Sequence, residues 1–225
     1  MTKISEQKKL IGYLSAFVTP ERLKRFDDVL KNRTRYITIA LEDIYQSHNT
    51  SAVLRSCDCF GIQDVHIIEN KNAFSVNPDI ALGASKWLTI RQYNKQENNT
   101  PECIKYLKSN GYRIVATSLH TQAIDIRELD VSHKFALLFG TEKEGLSPYA
   151  LNHADVHVKF PMYGFTESFN ISVCAALSLF FLTEKIKNLD LNWHLKKTEM
   201  HSLTIQWLKN TIKNADLLEK RFKKL

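Results

Sequence analysis

Three short stretches of the sequence decide the fold: His48-Asn49-Thr50-Ser51-Ala52-Val53-Leu54-Arg55, Phe139-Gly140-Thr141-Glu142-Lys143-Glu144-Gly145-Leu146-Ser147, and Phe160-Pro161-Met162-Tyr163-Gly164, which continues to Ser168-Phe169-Asn170-Ile171-Ser172-Val173. Each lies where a hydrophobic strand gives way to a helix. In an open α/β sheet, ligands bind at such turns, because helix amino ends and loop backbones converge there. The three turns therefore predict one composite ligand site.

Strand and helix patterns alternate around these stretches. Strands are predicted at Tyr36–Leu41, Val65–Ile68, Arg113–Ser118, Phe135–Phe139 and Val156–Phe160, and helices at Thr50–Phe60, Pro101–Asn110, Ser147–Asn152 and Asn170–Leu189. This alternation favours an α/β fold with a mostly parallel sheet and helices on both faces. A helix from Pro20 to about Lys31 and an amphipathic segment from Glu199 to Leu225 predict helical extensions at the two ends.

The excess of basic over acidic residues lies entirely in those two extensions. Residues 1–35 and residues 186–225 each contain nine Lys and Arg against four Asp and Glu, whereas residues 36–185 contain thirteen against sixteen. We therefore divide the chain into a basic helical extension (1–35), a core (36–185) and a second basic helical extension (186–225). Basic flanks on a mildly acidic core suit a protein that holds a polyanion and carries out chemistry in its core. The other interpretation is that they are only solvated helix faces.

Several classes of protein are disfavoured by composition. No apolar run reaches the roughly 18 residues of a membrane helix, and the amino end lacks a signal-peptide pattern, so we expect a cytoplasmic protein and no membrane partner. Neither the cysteines nor the histidines show a metal-ligand spacing, and no metal is predicted. No GxGxxG follows a strand, which disfavours a dinucleotide-type site.

Arg55 is the unusual residue of the first stretch. Asn49 stands near the start of the predicted helix, where its carboxamide can cap free backbone N–H groups. Ser51, Arg55 and Asp58 share the polar helix face, yet a helix amino end favours anions rather than a cation. Either Arg55 makes a surface contact with Asp58 or Ser51, or its guanidinium binds a phosphate or a ribose hydroxyl.

The second and third stretches differ in the ligands they favour. Residues 140–147 resemble a Walker A loop, but Leu146 replaces its lysine, and Glu142 and Glu144 would repel phosphates, so a neutral or cationic ligand fits better. In the third stretch, Ser168 is predicted to cap the following helix, with Asn170 in its first turn.

The order, spacing and wording of the three stretches resemble the SpoU/TrmH family, S-adenosylmethionine-dependent RNA ribose 2′-O-methyltransferases with the SPOUT fold. The resemblance spans roughly residues 36–185. It implies that the third stretch threads through another loop to form a carboxyl-terminal trefoil knot, an exception to the rule of unknotted folds. It also implies a homodimer whose active site lies near the interface.

The resemblance also implies site residues. Catalytic roles fall on Arg55, Asn49, Glu142, Ser168 and Asn170, and contacts with the cofactor S-adenosylmethionine on Thr117, Gly140, Phe160, Met162 and Phe169. The family assigns the arginine as the base that removes the 2′-hydroxyl proton. Because a guanidinium has a pKa above about 12, stabilisation of the developing alkoxide and of the adjacent phosphate is the alternative role.

Flanking helices on both sides of the core resemble the tRNA-modifying branch of the family. That branch implies tRNA as the partner and the D-loop guanosine at tRNA position 18 as the nucleotide modified. Two alternatives stay open. The chain could methylate ribosomal RNA or another tRNA position, or it could be a non-catalytic RNA-binding protein that keeps the fold.

Overall fold

The computed structural model describes residues 3–118 and 122–224. Contacts divide them into a central unit, residues 34–193, and a flanking unit made of the chain up to residue 33 and from residue 194 onward. The outermost residues of the predicted extensions, 1, 2 and 225, lie outside the described part.

The central unit alternates strands and helices. Its strands are β1 (Ile37–Glu42), β2 (Asp64–Ile68), β3 (Thr89–Tyr93), β4 (Arg113–Thr117), β5 (Ile124–Asp125), β6 (Phe135–Phe139) and β7 (Val156–Lys159). The α-helices of the described residues, in order, are α1 (Lys3–Ser15), α2 (Pro20–Leu30), α3 (Ser47–Cys59), α4 (Pro78–Ala81), α5 (Thr100–Ser109), α6 (Pro148–His153), α7 (Ile171–Lys187), α8 (Lys197–Thr211) and α9 (Ala215–Phe222).

The strands form one sheet, which contains seven strands within the described residues, in the order β3-β2-β1-β6-β4-β7-β5. Every neighbouring pair is parallel, from β2–β3 at one edge to β5–β7 at the other. The predicted parallel α/β fold is confirmed. Because β1, β4, β6 and β7 run in one direction, the loops that follow them all lie at the carboxyl edge of the sheet.

Both faces of the sheet are covered. All residues of β1 and β6 are buried, as expected of central parallel strands. Alternate residues, among them Ile39 and Leu137, pack with the apolar sides of α3 and α7, whereas Ala40 and Leu138 join a second cluster that includes residues of α5 and α6. The period of two along each strand therefore supplies a hydrophobic core to each face.

In the central unit, two strands and one helix were absent from the sequence prediction. β3 carries Arg91 and Gln92 on the exposed edge of the sheet, and β5 has only two residues, so neither shows the hydrophobic run of a central strand. Helix α4 has a single turn, which begins after the Asn77 cap. These short or edge elements lie below the length at which periodicity is informative.

The flanking unit packs around Trp207. The indole is buried, contacts Phe26 edge-to-face at 5.5 Å between ring centroids, and lies beneath the Arg33 guanidinium. Helix α1 packs against α8 and α9. The tail was predicted as one amphipathic helix, but the structure divides it, because Ile212 is extended and Asn214 has a left-handed φ of 60°. Within residues 3–118 and 122–224, none of the helices combines the length and apolar character needed to cross a membrane.

Candidate active site

The loop after β6 is a tight backbone turn. Thr141 and Gly145 exchange two backbone hydrogen bonds of 3.0 Å, and Thr141 Oγ1 accepts a third from the Glu144 N–H. A Cβ at Gly140 would lie 2.1 Å from the carbonyl carbon and oxygen of Gly145, so only glycine fits there. Gly145 adopts a φ of 72°, which glycine also tolerates. The two glycines therefore close residues 140–146 into a compact loop.

A buried carboxylate that the sequence prediction missed anchors this loop. Glu42, at the end of β1, accepts hydrogen bonds from Ser147 N–H and Ser147 Oγ at 2.7 Å each, and from Thr100 Oγ1 at 2.5 Å. Three donors compensate the burial of its charge. A charged residue that ends an otherwise apolar strand was the available signal. Glu42 thereby ties the second stretch to the end of β1.

One side chain from each of the three stretches joins a common hydrogen-bond network. Asn49 Nδ2 donates to Glu142 Oε1 at 3.0 Å, and Asn170 Nδ2 donates to the same oxygen at 2.5 Å. Asn170 Nδ2 also lies 3.2 Å from Asn49 Oδ1. Glu142 Oε2 makes no hydrogen bond with any described residue. The network thus holds one carboxylate oxygen and leaves the other available to a ligand.

The predicted capping roles were wrong. Asn49 is buried inside α3, two residues after its start, and donates to Gln46 and Glu142 instead of capping the helix. At α7, the cap is Asn170, whose Oδ1 accepts from the Ser172 N–H at 2.9 Å, whereas Ser168 precedes the helix and is exposed. Each helix begins where its backbone leaves the extended region, which composition alone does not locate.

Arg55 stands apart from this network. Its side chain is exposed on α3 and makes no hydrogen bond or ion pair with any described residue, including Asp58 and Ser51. Ser51 is instead buried and accepts a hydrogen bond from the Asn77 N–H. The surface contact considered for Arg55 is therefore wrong. A guanidinium that is exposed on α3 and pairs with no residue in 3–118 or 122–224 is available to an external anion.

A cleft of about 370 Å³ lies on one side of the loop. Its walls include the five residues predicted for cofactor contact, namely Thr117, Gly140, Phe160, Met162 and Phe169. Glu142 and Ser168 line the same cleft. Phe160 and Phe169 meet edge-to-face at 5.9 Å, and Thr117 Oγ1 donates to the Leu138 carbonyl at 2.8 Å. Burial raises the pKa of the Cys174 thiol in the same wall to about 11, so this cysteine is not a thiolate nucleophile near neutral pH.

A second cleft, of about 920 Å³, lies on the other side of the same loop. Residues 141–146 line both clefts, and Asn49 lines the second. Its floor is organised by Asp43, which has a left-handed φ of 55° and whose Oδ1 accepts hydrogen bonds from the N–H groups of Asn70 and Lys71 at 2.7 and 2.8 Å. The sequence prediction did not include Asp43. Among the described residues, no group of three or more His, Cys, Asp or Glu is arranged to hold a metal ion.

Comparisons with known proteins identify the family of this chain. The profile of the SpoU rRNA Methylase family matches residues 36–180. The tRNA (guanosine(18)-2′-O)-methyltransferase of Borreliella burgdorferi is 42% identical over 94% of this chain and 95% of its own length, and that of Thermus thermophilus is 36% identical over 72% and 81%. The crystal structure of the A. aeolicus TrmH/SpoU tRNA modifying enzyme superposes with a TM-score of 0.76 at 28% identity, over 86% of this chain and 98% of that one. The chain belongs to the SpoU rRNA methylase family.

Proposed function

We propose that this protein transfers a methyl group from S-adenosylmethionine to the ribose 2′-hydroxyl of the D-loop guanosine at position 18 of tRNA. The observation that carries the proposal is the Asn49–Glu142–Asn170 network, in which Glu142 lines both a cofactor-sized cleft and a second, larger cleft. The relatives of Borreliella burgdorferi and Thermus thermophilus, which are named for this reaction, support the substrate.

The first cleft suits S-adenosylmethionine. Its apolar walls, among them Phe160, Met162 and Phe169, match an adenine ring. The same wall includes Gly140, whose missing Cβ lets the loop close on the backbone of Gly145. The carboxylate of Glu142 in the same wall favours a cation over a phosphate. When bound, S-adenosylmethionine supplies an electrophilic methyl group on a sulfonium, which is a good leaving group.

The side chains of the chain then position the acceptor and handle its charge. Glu142 Oε2, held in place through Oε1, is available to accept a hydrogen bond from the substrate, and Ser168 at the edge of the first cleft is a further polar contact. In the dimer proposed below, the exposed Arg55 stabilises the alkoxide that develops at the 2′-oxygen and binds the neighbouring phosphate, while the proton passes to a neighbouring group or to water. A partner-free guanidinium suits this electrostatic role better than that of a base.

The test is methylation of a tRNA transcript, followed by mass spectrometry of its nucleosides. We expect one 2′-O-methylguanosine at position 18, and none when S-adenosylmethionine is omitted. A methyl group at another tRNA position, or only in ribosomal RNA, would change the substrate and keep the reaction class. Binding of S-adenosylmethionine and RNA with no transfer to any RNA would indicate a non-catalytic RNA-binding protein. Because tRNA is the substrate, we also propose a cytoplasmic location.

We further propose that the protein is a homodimer. An apolar groove between α3 and α7 is lined by Ala52, Phe60, Val173, Leu177 and Phe180, and the last of these is 59% exposed. Large apolar side chains gathered on one face mark an interaction surface. Arg55 lies on the same helix as Ala52 and Phe60, so an interface here would bring it near the partner copy.

The dimer prediction concerns Phe180. A lysine at this position would bury a charge in the proposed interface, so we expect Phe180→Lys to shift the protein from twice the 26.0 kDa chain mass to a single chain in light scattering at micromolar concentration. Leu217→Lys, at an exposed apolar residue of α9, is the matched control and should leave the mass unchanged. A monomeric wild-type protein with full activity would contradict the proposal.

The proposed knot concerns residues 160–170. β7 lies between β4 and β5, yet the helix that follows it, α7, packs against α3. The connection therefore crosses the carboxyl ends of β4 and β6, where residues 140–147 also lie. We propose that it passes through that loop and closes a trefoil knot. A crystal structure with continuous density from residue 135 to residue 175 tests the path of the chain.

We propose that the two basic extensions, residues 1–35 and 186–225, bind the phosphate backbone of the tRNA. A deletion would remove α8, a packing partner of α1, so substitutions give a cleaner test. We expect replacement of Lys220, Arg221, Lys223 and Lys224 by glutamine to weaken tRNA binding. The slope of log affinity against log salt should fall by up to about 3, because each phosphate contact contributes about 0.7 to 0.9 to it. Lys223 contributes less, because it pairs with Glu219 at 3.1 Å.

Affinity for S-adenosylmethionine, measured by calorimetry, is the internal control for this experiment and should not change. An unaltered salt slope and tRNA affinity would show that the flanking unit is a packing element only.

A further inference from the structure

The second cleft borders the proposed site of methyl transfer. Asn49 and Glu142 line it, and about 920 Å³ is within the range of pockets that hold small molecules, roughly 300 to 1,000 Å³. A ribose that reaches the network from the side opposite the first cleft therefore has its base in or beside this second cleft.

The charge of the second cleft disfavours a phosphate there. Five acidic side chains line it (Glu42, Asp43, Glu97, Glu142 and Glu144), against Lys71 and Lys143. An acidic, concave surface repels a phosphate and favours a neutral group that donates hydrogen bonds. The base of a nucleotide fits this description, whereas its phosphates belong outside.

This cleft is lined by an aromatic ring and an ion pair that could contact a base. The side chain of Tyr45 lines the cleft and is 80% exposed, so its ring is accessible to a ligand. Exposed aromatic rings of this kind stack on unpaired RNA bases. Lys71 Nζ lies 3.5 Å from Glu144 Oε2, and their side chains are 74% and 69% exposed. Exposed pairs of this length contribute little to stability, so a ligand can separate them at small cost. The backbone of Lys71 is nevertheless fixed by Asp43.

We propose that the second cleft receives the target base and that Glu144 and Lys71 read the Watson–Crick edge of guanine, with Tyr45 stacked on the ring. The proposal rests on the proposed function. Guanine presents two adjacent donors, N1–H and the 2-amino group, beside the acceptor O6. A carboxylate accepts from both donors and an ammonium donates to O6. Among the four RNA bases, only guanine offers that pair of donors beside an acceptor.

The experiment compares tRNA transcripts that carry guanosine or inosine at the methylated position. Inosine lacks only the 2-amino group, so we expect wild-type kcat/KM to fall about 10-fold or more, as for loss of one base contact. Glu144→Gln should lower kcat/KM on guanosine about 10- to 100-fold and largely close the gap between the two substrates, because an amide presents one acceptor and one donor.

Two further variants separate the roles. Lys71→Met should lower kcat/KM on both substrates by a similar factor and keep the gap, since inosine retains O6. Tyr45→Ala should lower kcat/KM on both about 10-fold or more, and Tyr45→Phe should restore it, because stacking needs only the ring. Glu102→Gln, at an exposed glutamate that lines neither cleft, is the matched control and should behave as wild type.

Failures of the two proposals are distinguishable. If the wild-type protein methylates no tRNA guanosine, the proposed function fails. If it methylates guanosine and inosine equally well, or if Glu144→Gln keeps the wild-type gap, the assignment of Glu144 is overturned while the proposed function stands. A gap that closes equally in Glu102→Gln would likewise overturn it, because the change would then not depend on a contact made by Glu144.

Discussion

Replacing Arg55 with alanine is expected to lower the rate of methyl transfer by about 100- to 1,000-fold, the usual effect of removing a group that stabilises a developing oxyanion. The side chain is exposed and bonds to no described residue, so its loss should leave the folded structure intact. Single-turnover rates on a tRNA transcript measure the effect. Affinity for S-adenosylmethionine should stay within a few fold of wild type, because Arg55 does not line the first cleft.

The conservative variant Arg55→Lys tests the reason for that loss. Lysine keeps the charge but not the planar fork that binds a phosphate with two hydrogen bonds, so we expect partial recovery of the rate. Near wild-type turnover in Arg55→Ala would contradict the proposed catalytic role. A similar loss of cofactor affinity and rate would instead indicate a role in shaping the first cleft.

Gly140→Ala is expected to abolish measurable cofactor binding. The added Cβ would lie 2.1 Å from backbone atoms of Gly145 and 2.3 Å from the Leu146 nitrogen, far inside van der Waals contact, so the loop must open. Opening it disrupts the hydrogen bonds between Thr141 and Gly145 and displaces Glu142 from Asn49 and Asn170. Calorimetric titration with S-adenosylmethionine measures the loss, and thermal unfolding reports whether the core survives.

Gly164→Ala is the matched control for this prediction. The nearest atom to a Cβ at that position is the Thr166 nitrogen at 4.0 Å, an ordinary contact, so cofactor affinity should be unchanged. Wild-type affinity in Gly140→Ala would show that the loop adopts another path when a ligand is bound.

The central strands and the loops of the site could be predicted from the sequence, because each rests on a local pattern. β1 and β6 are fully buried and read as mostly apolar runs, and the loop after β6 carries the glycines that its geometry requires. β3 could not be predicted, since an edge strand with Arg91 at its centre lacks that signal. Local patterns report burial, and edge elements are only half buried.

The hydrogen-bond partners of the site were beyond local patterns. Asn49 was expected to cap a helix, but its partner Glu142 lies 93 residues away in the sequence and becomes a neighbour only through the pairing of β1 with β6. Glu42 and Asp43 were missed for the same reason: their roles depend on Ser147 and on the loop that contains Asn70. That Arg55 makes no ion pair with Asp58 is likewise a property of the fold, because their spacing in the sequence would allow such a pair.

Residues 141–146 form a wall of both clefts, so the two proposed ligands would be coupled thermodynamically through this loop. A ligand that orders the loop in one cleft leaves less conformational entropy to be lost when the other cleft is filled. The coupling free energy is a single quantity, so the factor by which the methyl donor changes the affinity for RNA equals the factor by which RNA changes the affinity for the donor. Substrate and cofactor then act as reciprocal allosteric effectors across one six-residue turn.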